Sequence, residues 1–524
     1  MEESSTTSPP PPATKSWADQ ADDEDANPSS SSAAETEPPS IDELNIDVNK
    51  KSPSKMLDDP DDSNIQAVTS GDTPYTSAAT FEELSLSPEL LKGLYVEMKF
   101  EKPSKIQAVS LPMILNPPHR DLIAQAHNGS GKTTCFVLGM LSRVDPTQQS
   151  TQALCICPTR ELAIQNVEVL RKMGKYTGIS SECSIPMDKR DSIPISKRPP
   201  IMAQVVIGTP GTIKNLMTYK KLGVTRLKIL VFDEADQMLA EDHWENYMDA
   251  LCRNDMKMPA DSAGITCIFL FLRLRGPFGL PQFLTEEWAL FMLPLEVLLF
   301  SATFNDIVKN FVTRIVEKKE HNKLFVKKEE LSLDAVKQYK VRVSDETEKI
   351  EVIKNYIFEI GENVGQTIIF VRTRDSAKML HKALVDLGYE VTSIQGNLEH
   401  DQRDKIIKEF KDGLTQVLIS TDVLARGFDQ QQINLVINYD LPLKYAAGYN
   451  RGRELEPDFE VYLHRVGRAG RFGRKGAVFN LICGERDEKV MSKIENHFGT
   501  HIKEVQQNSV DDYKAALKEA GLLF

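Results

Sequence analysis

The sequence predicts an α/β protein made of two parallel-sheet lobes in tandem, preceded by a disordered acidic N-terminal tail. Three observations carry this prediction. Short runs that are apolar throughout recur along the chain, each followed by a stretch of helical character, and they fall into two series. A polar segment separates the series. The acidity is segregated, because residues 1–75 hold 17 acids and 4 bases, a net of −13 that equals the net charge of all 524 residues. Uninterrupted apolar runs suit strands buried on both faces of a parallel sheet. Their alternation with helices implies right-handed strand–helix–strand units.

In chain order, residues 1–75 are rich in Ser, Pro, Asp and Glu, with Trp17 as the one aromatic before Tyr75. Such a segment buries too little surface to offset its ordering entropy and is read as disordered. Within it, residues 41–48 have apolar spacing that suits a short docking helix. A first lobe is placed at residues 76–330, on runs at 122–124, 153–157, 205–208, 229–232 and 297–300. A polar linker follows at 331–348. A second lobe, at 349–524, rests on runs at 367–371, 391–394, 417–420, 435–438 and 477–482. Outside the tail the charges balance, so the low isoelectric point does not argue against nucleic-acid binding by the body.

Seven scattered cysteines without a C-x-x-C pair argue against a zinc site, and an odd count points to a reducing compartment. The N-terminus has neither a basic nor an apolar region of the secretory kind. The longest apolar stretch, near 265–272, is broken by Arg273 and Arg275, well short of the about 20 residues that a membrane span needs.

The chemistry begins at residues 126–133, A-H-N-G-S-G-K-T, between an apolar run and a helical stretch. This is the context of a phosphate-binding loop. Ala126, Gly129, Ser130 and Gly131 form the loop, whose backbone N–H groups can close around phosphate. Lys132 reaches the β/γ-phosphates of ATP, and the Thr133 hydroxyl can hold Mg²⁺. The tetrad Asp233-Glu234-Ala235-Asp236 follows the run at 229–232. A carboxylate at the C-terminal end of a parallel strand sits where ligands bind. Asp233 can hold Mg²⁺, and Glu234 can orient and deprotonate water. An acidic helix N-terminus would read the same way; the upstream loop decides for catalysis. In the second lobe, His464-Arg465-Val466-Gly467-Arg468-Ala469-Gly470-Arg471 spaces arginines three apart. Arg468 and Arg471 can then point into the cleft between lobes, where they would meet the γ-phosphate.

The ordered set of motifs resembles the DEAD-box RNA helicases over about residues 81–524. The resemblance implies two RecA-like lobes, ATP with Mg²⁺, and sequence-independent binding of RNA. By it, residues 100–107 (F-E-K-P-S-K-I-Q) form the Q motif within 79–107, with Gln107 reading adenine and Phe100 stacking on it. Pro158, Thr159 and Arg160, then Thr209, Pro210 and Gly211, would contact the RNA backbone, as would Thr421 in the second lobe. Ser301, Ala302 and Thr303 would couple hydrolysis to strand separation, with His464 on the facing lobe. Asp429 would hold the ATP ribose. Small loops of Thr, Arg and backbone N–H groups suit phosphate and 2′-OH rather than base edges.

Residues 208–212, 98–100, 422–439 and 456–462 resemble the mRNA-export subfamily most. That likeness implies remodelling of RNA–protein complexes during export, in cytoplasm and nucleus and at the nuclear envelope near the pore. It also implies a pore-bound activator carrying inositol hexakisphosphate, with the helicase acting as a monomer and without membrane insertion.

Three departures stand out. His400 takes the place of the usual Gln ahead of Arg403, Gly211 is followed by Thr212 rather than Arg, and no G-G pair lies between Leu162 and Thr209. A larger one is the 68 positions between Asp233 and Ser301. One helix with its connections fills about 25–35 residues. The surplus near 260–296 is apolar and reads as a translated intron or gene-model error, a partner-binding insertion being the alternative. If the surplus disturbs the sheet, the chain is instead a non-catalytic RNA clamp. The presence of Lys132, Glu234, Arg468 and Arg471 favours the enzyme.

Overall fold

The computed structural model describes residues 65–69, 75–126, 129–187, 193–240, 296–315, 321–326, 336–360, 364–396, 398–425, 428, 430, 432–444, 455–470 and 474–523. The first sheet is built from β1 (Ile65–Thr69), β2 (Asp121–Gln125), β3 (Ala153–Ile156), β4 (Ser181–Ser184), β5 (Val205–Gly208), β6 (Ile229–Phe232), β7 (Glu296–Ser301) and β8 (His321–Val326). Its order is β1-β8-β2-β7-β6-β3-β5-β4. Every pairing is parallel except β1 with β8.

Alternation along the strands divides their side chains between two cores. Leu122, Ala124, Leu298 and Phe300 pack on one face with residues of the helices Lys105–Leu115, Lys132–Arg143 and Arg160–Met173. Ile123, Val297 and Leu299 pack on the other with residues of Pro210–Thr218, Ala235–Ala240 and Asp306–Ile315. Burial of this kind contributes roughly 1.5–3 kcal/mol per large aliphatic side chain.

The second sheet contains β9 (Val336–Val343), β10 (Gln366–Phe370), β11 (Val391–Ile394), β12 (Val417–Ser420), β13 (Ile433–Asn438), β14 (Gly476–Cys483) and β15 (Lys503–Glu504). Its order is β11-β12-β10-β13-β14-β9-β15, parallel throughout. The two parallel-sheet lobes expected from the sequence are therefore present, one after the other.

Three boundaries differ from the sequence reading. Ile65–Thr69, inside the predicted tail, forms β1 and pairs with Asn322–Val326. Five residues of mixed hydropathy in an acidic run gave no strand signal, whereas an existing sheet edge offers them backbone partners. The predicted linker at 331–348 contains β9, an inner strand between β14 and β15. Its sequence V-K-Q-Y-K-V-R-V looks polar because of its cations. Those cations are met by acids: Lys340 Nζ lies 3.0 Å from Glu495, and Arg342 pairs with Glu488 at 2.6 Å and with Glu504. Tyr339, Val341 and Val343 meanwhile enter the core. The surplus placed near 260–296 ends one residue early, since Glu296 already belongs to β7 and pairs with Ile229. Residues 241–295, and most of the tail, lie outside the described residues.

Candidate active site

The predicted nucleotide loop leaves the C-terminal end of the central strand β2. Ala126 N–H donates to Ser301 O across 3.2 Å, tying the loop to the end of β7. Gly129 and Gly131 take φ of 82° and 103°, the left-handed region that favours glycine. A Cβ on Gly131 would lie 2.3 Å from Gln107 Nε2.

The reason is local. Ser104 caps the Lys105–Leu115 helix in a capping box: Ser104 N–H donates to Gln107 Oε1 at 2.9 Å, and Ser104 Oγ accepts from Gln107 N. Both side chains then grip the loop, Ser104 Oγ donating to Ser130 O at 2.7 Å and Gln107 Nε2 to Gly131 O at 3.3 Å. Phe100 stacks on Phe81 beside them, with ring centroids 6.4 Å apart.

Gly131→Ala is therefore expected to weaken ATP binding by roughly 10–100-fold, the scale of the about 1–3 kcal/mol carried by a strained non-Gly residue. Titration with a fluorescent ATP analogue checks it, and wild-type affinity would refute it.

Lys132 is buried, and its ammonium donates to Ala126 O at 2.8 Å, inside the loop. Ser130 Oγ is buried without a hydrogen-bond partner among the described residues. An unsatisfied buried hydroxyl in a glycine-bearing loop at a helix N-terminus fits a phosphate group.

Asp233 and Glu234 stand at the end of β6, both buried. Asp233 accepts from Asn166 Nδ2 at 2.8 Å and from the N–H of Glu234 at 3.0 Å. Burial, followed by the neighbouring Glu234 charge, holds its carboxyl well above the usual carboxylate range, while Asn166 and Lys132 pull the other way. Glu234 has φ of 50°, unusual for a non-Gly residue and of the kind found where a site re-aims a side chain. The oxygen donors of Asp233 and Thr133 are of the type a hard cation such as Mg²⁺ takes.

Asp236 is the pivot to the second lobe. Its N–H donates to Ser301 Oγ at 3.3 Å, and its Oδ2 accepts from the Thr303 hydroxyl at 2.8 Å. The same oxygen lies 3.4 Å from His464 Nε2. Ala302, between the two hydroxyls, is buried. The tetrad, residues 301–303 and His464 are thus joined in one chain of contacts. A second link runs from Asn305 Nδ2 to Glu460 Oε1 at 2.9 Å.

His464, Arg465 and Arg468 are all buried around the Phe459–Val466 helix. Arg465 lies over the Phe370 ring and donates to Asp422 Oδ1, Asn438 Oδ1 and Asp440 O at 2.7, 3.2 and 2.6 Å. It thereby fastens the ends of β10, β12 and β13 together. Arg468 donates to His464 O at 3.0 Å and to Phe428 O. Arg471 and Asp429 lie outside the described residues.

The expected RNA loops leave two neighbouring strands of the first sheet and one strand of the second. Pro158 and Thr159 follow β3, with Thr159 Oγ1 capping the next helix at Leu162 N. Thr209 follows β5 and contacts Thr212 Oγ1 at 3.2 Å, and Pro210 and Gly211 open its helix. Thr421 follows β12, its N–H reaching Ile394 O. Arg160 differs from the rest, because its guanidinium forms a two-point pair with Asp404 of the second lobe at 2.5 and 2.8 Å. Sequence reasoning gave no role to Asn166, Asp236, Glu161 or Asp404. Asp236, inside the tetrad, and Glu161, inside the motif that begins at Pro158, carried a signal; Asn166 and Asp404 did not.

Two parallel-sheet lobes, a glycine-bearing loop and paired carboxylates on one, and His464 of the other meeting Asp236 of the tetrad, define a two-lobed, nucleotide-hydrolysing helicase. Residues 104–311 match the DEAD/DEAH box helicase family, and residues 348–473 the helicase conserved C-terminal domain. The chain is 58% identical over 485 residues to the DEAD-box ATP-dependent RNA helicase 38 of Arabidopsis thaliana, covering 92% of this chain and 89% of that protein. S. cerevisiae Dbp5 bound to RNA and ADP BeF3 is 37% identical, with a TM-score of 0.69, over 84% of this chain and 100% of that one. A Dbp5 variant bound to a Gle1 variant and IP6 is 36% identical, with a TM-score of 0.65, over 85% and 99%. The chain belongs to the DEAD-box ATP-dependent RNA helicases and is an RNA helicase that uses ATP. Nothing in these comparisons supports a non-catalytic clamp.

Proposed function

We propose that the protein remodels RNA–protein complexes during mRNA export, working at the cytoplasmic side of the nuclear pore and passing between nucleus and cytoplasm. The observation that carries this reading is its likeness, over 85% of the chain, to a Dbp5 variant captured with Gle1 and IP6. By the same likeness it takes a pore-bound activator carrying inositol hexakisphosphate, docked on the second lobe, and acts as a monomer.

Within the site, the loop from Ala126 to Gly131 cradles the phosphates, with Gln107 and Phe100 at the adenine and Asp429 at the ribose. Lys132 leaves its carbonyl partner for the β/γ-phosphates, and Thr133 and Asp233 hold Mg²⁺. The cation neutralises charge on the phosphates when bound. Glu234 orients and deprotonates the attacking water. Arg468 and Arg471 stabilise the transferring phosphoryl group from the second lobe. Ser301, Ala302, Thr303 and His464, joined through Asp236, carry the state of the γ-phosphate site to the lobe interface. Pro158, Thr159, Thr209, Pro210, Gly211 and Thr421 hold the RNA backbone.

Depleting the protein and imaging polyadenylated RNA tests the cellular reading. Nuclear accumulation of that RNA is expected. An unchanged distribution would remove the export role and leave the helicase standing.

A further inference from the structure

The helix Arg160–Met173 buries a stripe of Leu162, Ala163, Asn166, Val167 and Leu170. Asn166 is the polar member, in a place where helical spacing calls for an apolar side chain. It is 0% exposed. An amide in such surroundings costs stability unless its groups find partners.

The nitrogen finds two. Asn166 Nδ2 donates to Asp233 Oδ2 at 2.8 Å and to Cys157 Sγ at 3.3 Å. Oδ1 is buried without a hydrogen-bond partner among the described residues. The donors therefore orient this amide. Turned over, it would set its oxygen against the carboxylate oxygen of Asp233, so the nitrogen has to face that way. Cys157 lies just past β3, on the same strand face as Cys155, with the two Sγ atoms 3.8 Å apart. Both thiols are buried in the core that the helix packs on. A thiol sulfur is a weak acceptor. It can hold the second N–H without drawing the amide from Asp233.

The Asp233 carboxylate thus takes one donor on each oxygen, the Glu234 N–H on Oδ1 at 3.0 Å and Asn166 on Oδ2. Each oxygen keeps lone-pair capacity for a cation. One donor comes from the chain that follows β6 and the other from a helix, so the carboxylate cannot turn without losing one of them.

We propose that Asn166 is a positioning residue for the helicase reaction, held in its own orientation by Cys157, and that it sets the Asp233 carboxylate at the angle from which it meets Mg²⁺. This rests on the assignment of Asp233 as a Mg²⁺ ligand. Groups behind a metal ligand fix its direction and so govern affinity for the ion.

The test uses the full-length protein. Asn166→Leu completes the apolar stripe and removes the donor. It should raise the Mg²⁺ concentration for half-maximal RNA-stimulated turnover by roughly 10-fold, the low end of what losing such a partner does, with kcat recovered at high Mg²⁺. Binding gives a second readout. The dissociation constant of a fluorescent ATP analogue in EDTA should stay unchanged, while the tightening seen on adding Mg²⁺ should shrink. An unchanged Mg²⁺ requirement would overturn the proposal. So would equal weakening in EDTA and in Mg²⁺, the mark of a general loss of packing. Asp233→Ala separates the two levels. If it abolishes the tightening and Asn166→Leu does not, the positioning role alone fails. If Asp233→Ala itself keeps the tightening, Asp233 is not the ligand and both assignments fall.

Cys157 gives a reading that does not depend on how Asn166→Leu packs. Cys157→Ala removes the acceptor and should raise the Mg²⁺ requirement by roughly 3-fold, the scale of one weak hydrogen bond, whereas Cys157→Ser keeps an acceptor and should stay closer to wild type. Cys157→Ala added to Asn166→Leu should bring no further loss, since a residue that acts through another is not additive with it. Identical Ala and Ser variants, or additive losses in the double variant, would overturn the part given to Cys157.

Discussion

Replacing Glu234 by Gln is expected to leave ATP and RNA binding intact and to cut hydrolysis by about 10²-fold or more, the scale of losing a general base. The residue is buried beside Asp233 at the C-terminal end of β6, and its backbone is held at φ 50°. A regular strand would send two adjacent carboxylates to opposite faces of the sheet, and the left-handed backbone at Glu234 departs from that pattern. Asp233 is engaged by Asn166 and the Glu234 N–H, which suits a fixed ligand position. In the proposed mechanism Glu234 receives the proton from water. Gln has the same shape and lacks the basic oxygen, so a closed ATP–RNA complex should accumulate. Single-turnover hydrolysis and RNA-retention measurements check this. Turnover at the wild-type rate would show that another group takes the proton.

A first-lobe fragment spanning residues 65–330 is expected to bind ATP yet hydrolyse it roughly 10³-fold more slowly than the full chain with RNA, the scale associated with a missing arginine at the transferring phosphoryl group. The fragment has to begin at Ile65, because β1 completes the sheet edge at β8. It retains the loop, Asp233, Glu234 and both cores of its sheet. It loses His464, which meets Asp236, Glu460, which meets Asn305, and Arg468 just past the end of their helix. Hydrolysis assays with and without RNA, beside nucleotide titration, separate binding from chemistry. Full RNA-stimulated activity in the fragment would refute the role given to the second lobe.

Much of this arrangement was legible in the sequence. Runs such as I-L-V-F before the D-E-A-D tetrad are apolar at every position, and a strand buried on both faces demands that. The glycines at 129 and 131 are legible for a similar reason, since few other residues adopt their backbone angles. The strands that escaped notice are those whose polar side chains find partners far away in the chain. β4 reads S-E-C-S and lies at the sheet edge beside β5. β9 carries three cations, and the acids that accept two of them, Glu488, Glu495 and Glu504, come more than 140 residues later.

The sequence by itself determined the local chemistry of this protein: two series of strands, a loop shaped for phosphate, and carboxylates and arginines at strand and helix ends. These follow from short-range rules of backbone conformation and burial, which act within a few residues. Only the tertiary structure decided which groups meet. Asp236 faces His464 across 228 positions of chain, and Arg160 faces Asp404 across 244. Such pairs need two folded lobes to remove them from water together, and no local pattern encodes where a distant lobe will set its charge. Opposite charges attract weakly while both are hydrated and strongly once the cleft excludes water, so their pairing is a property of the closed fold.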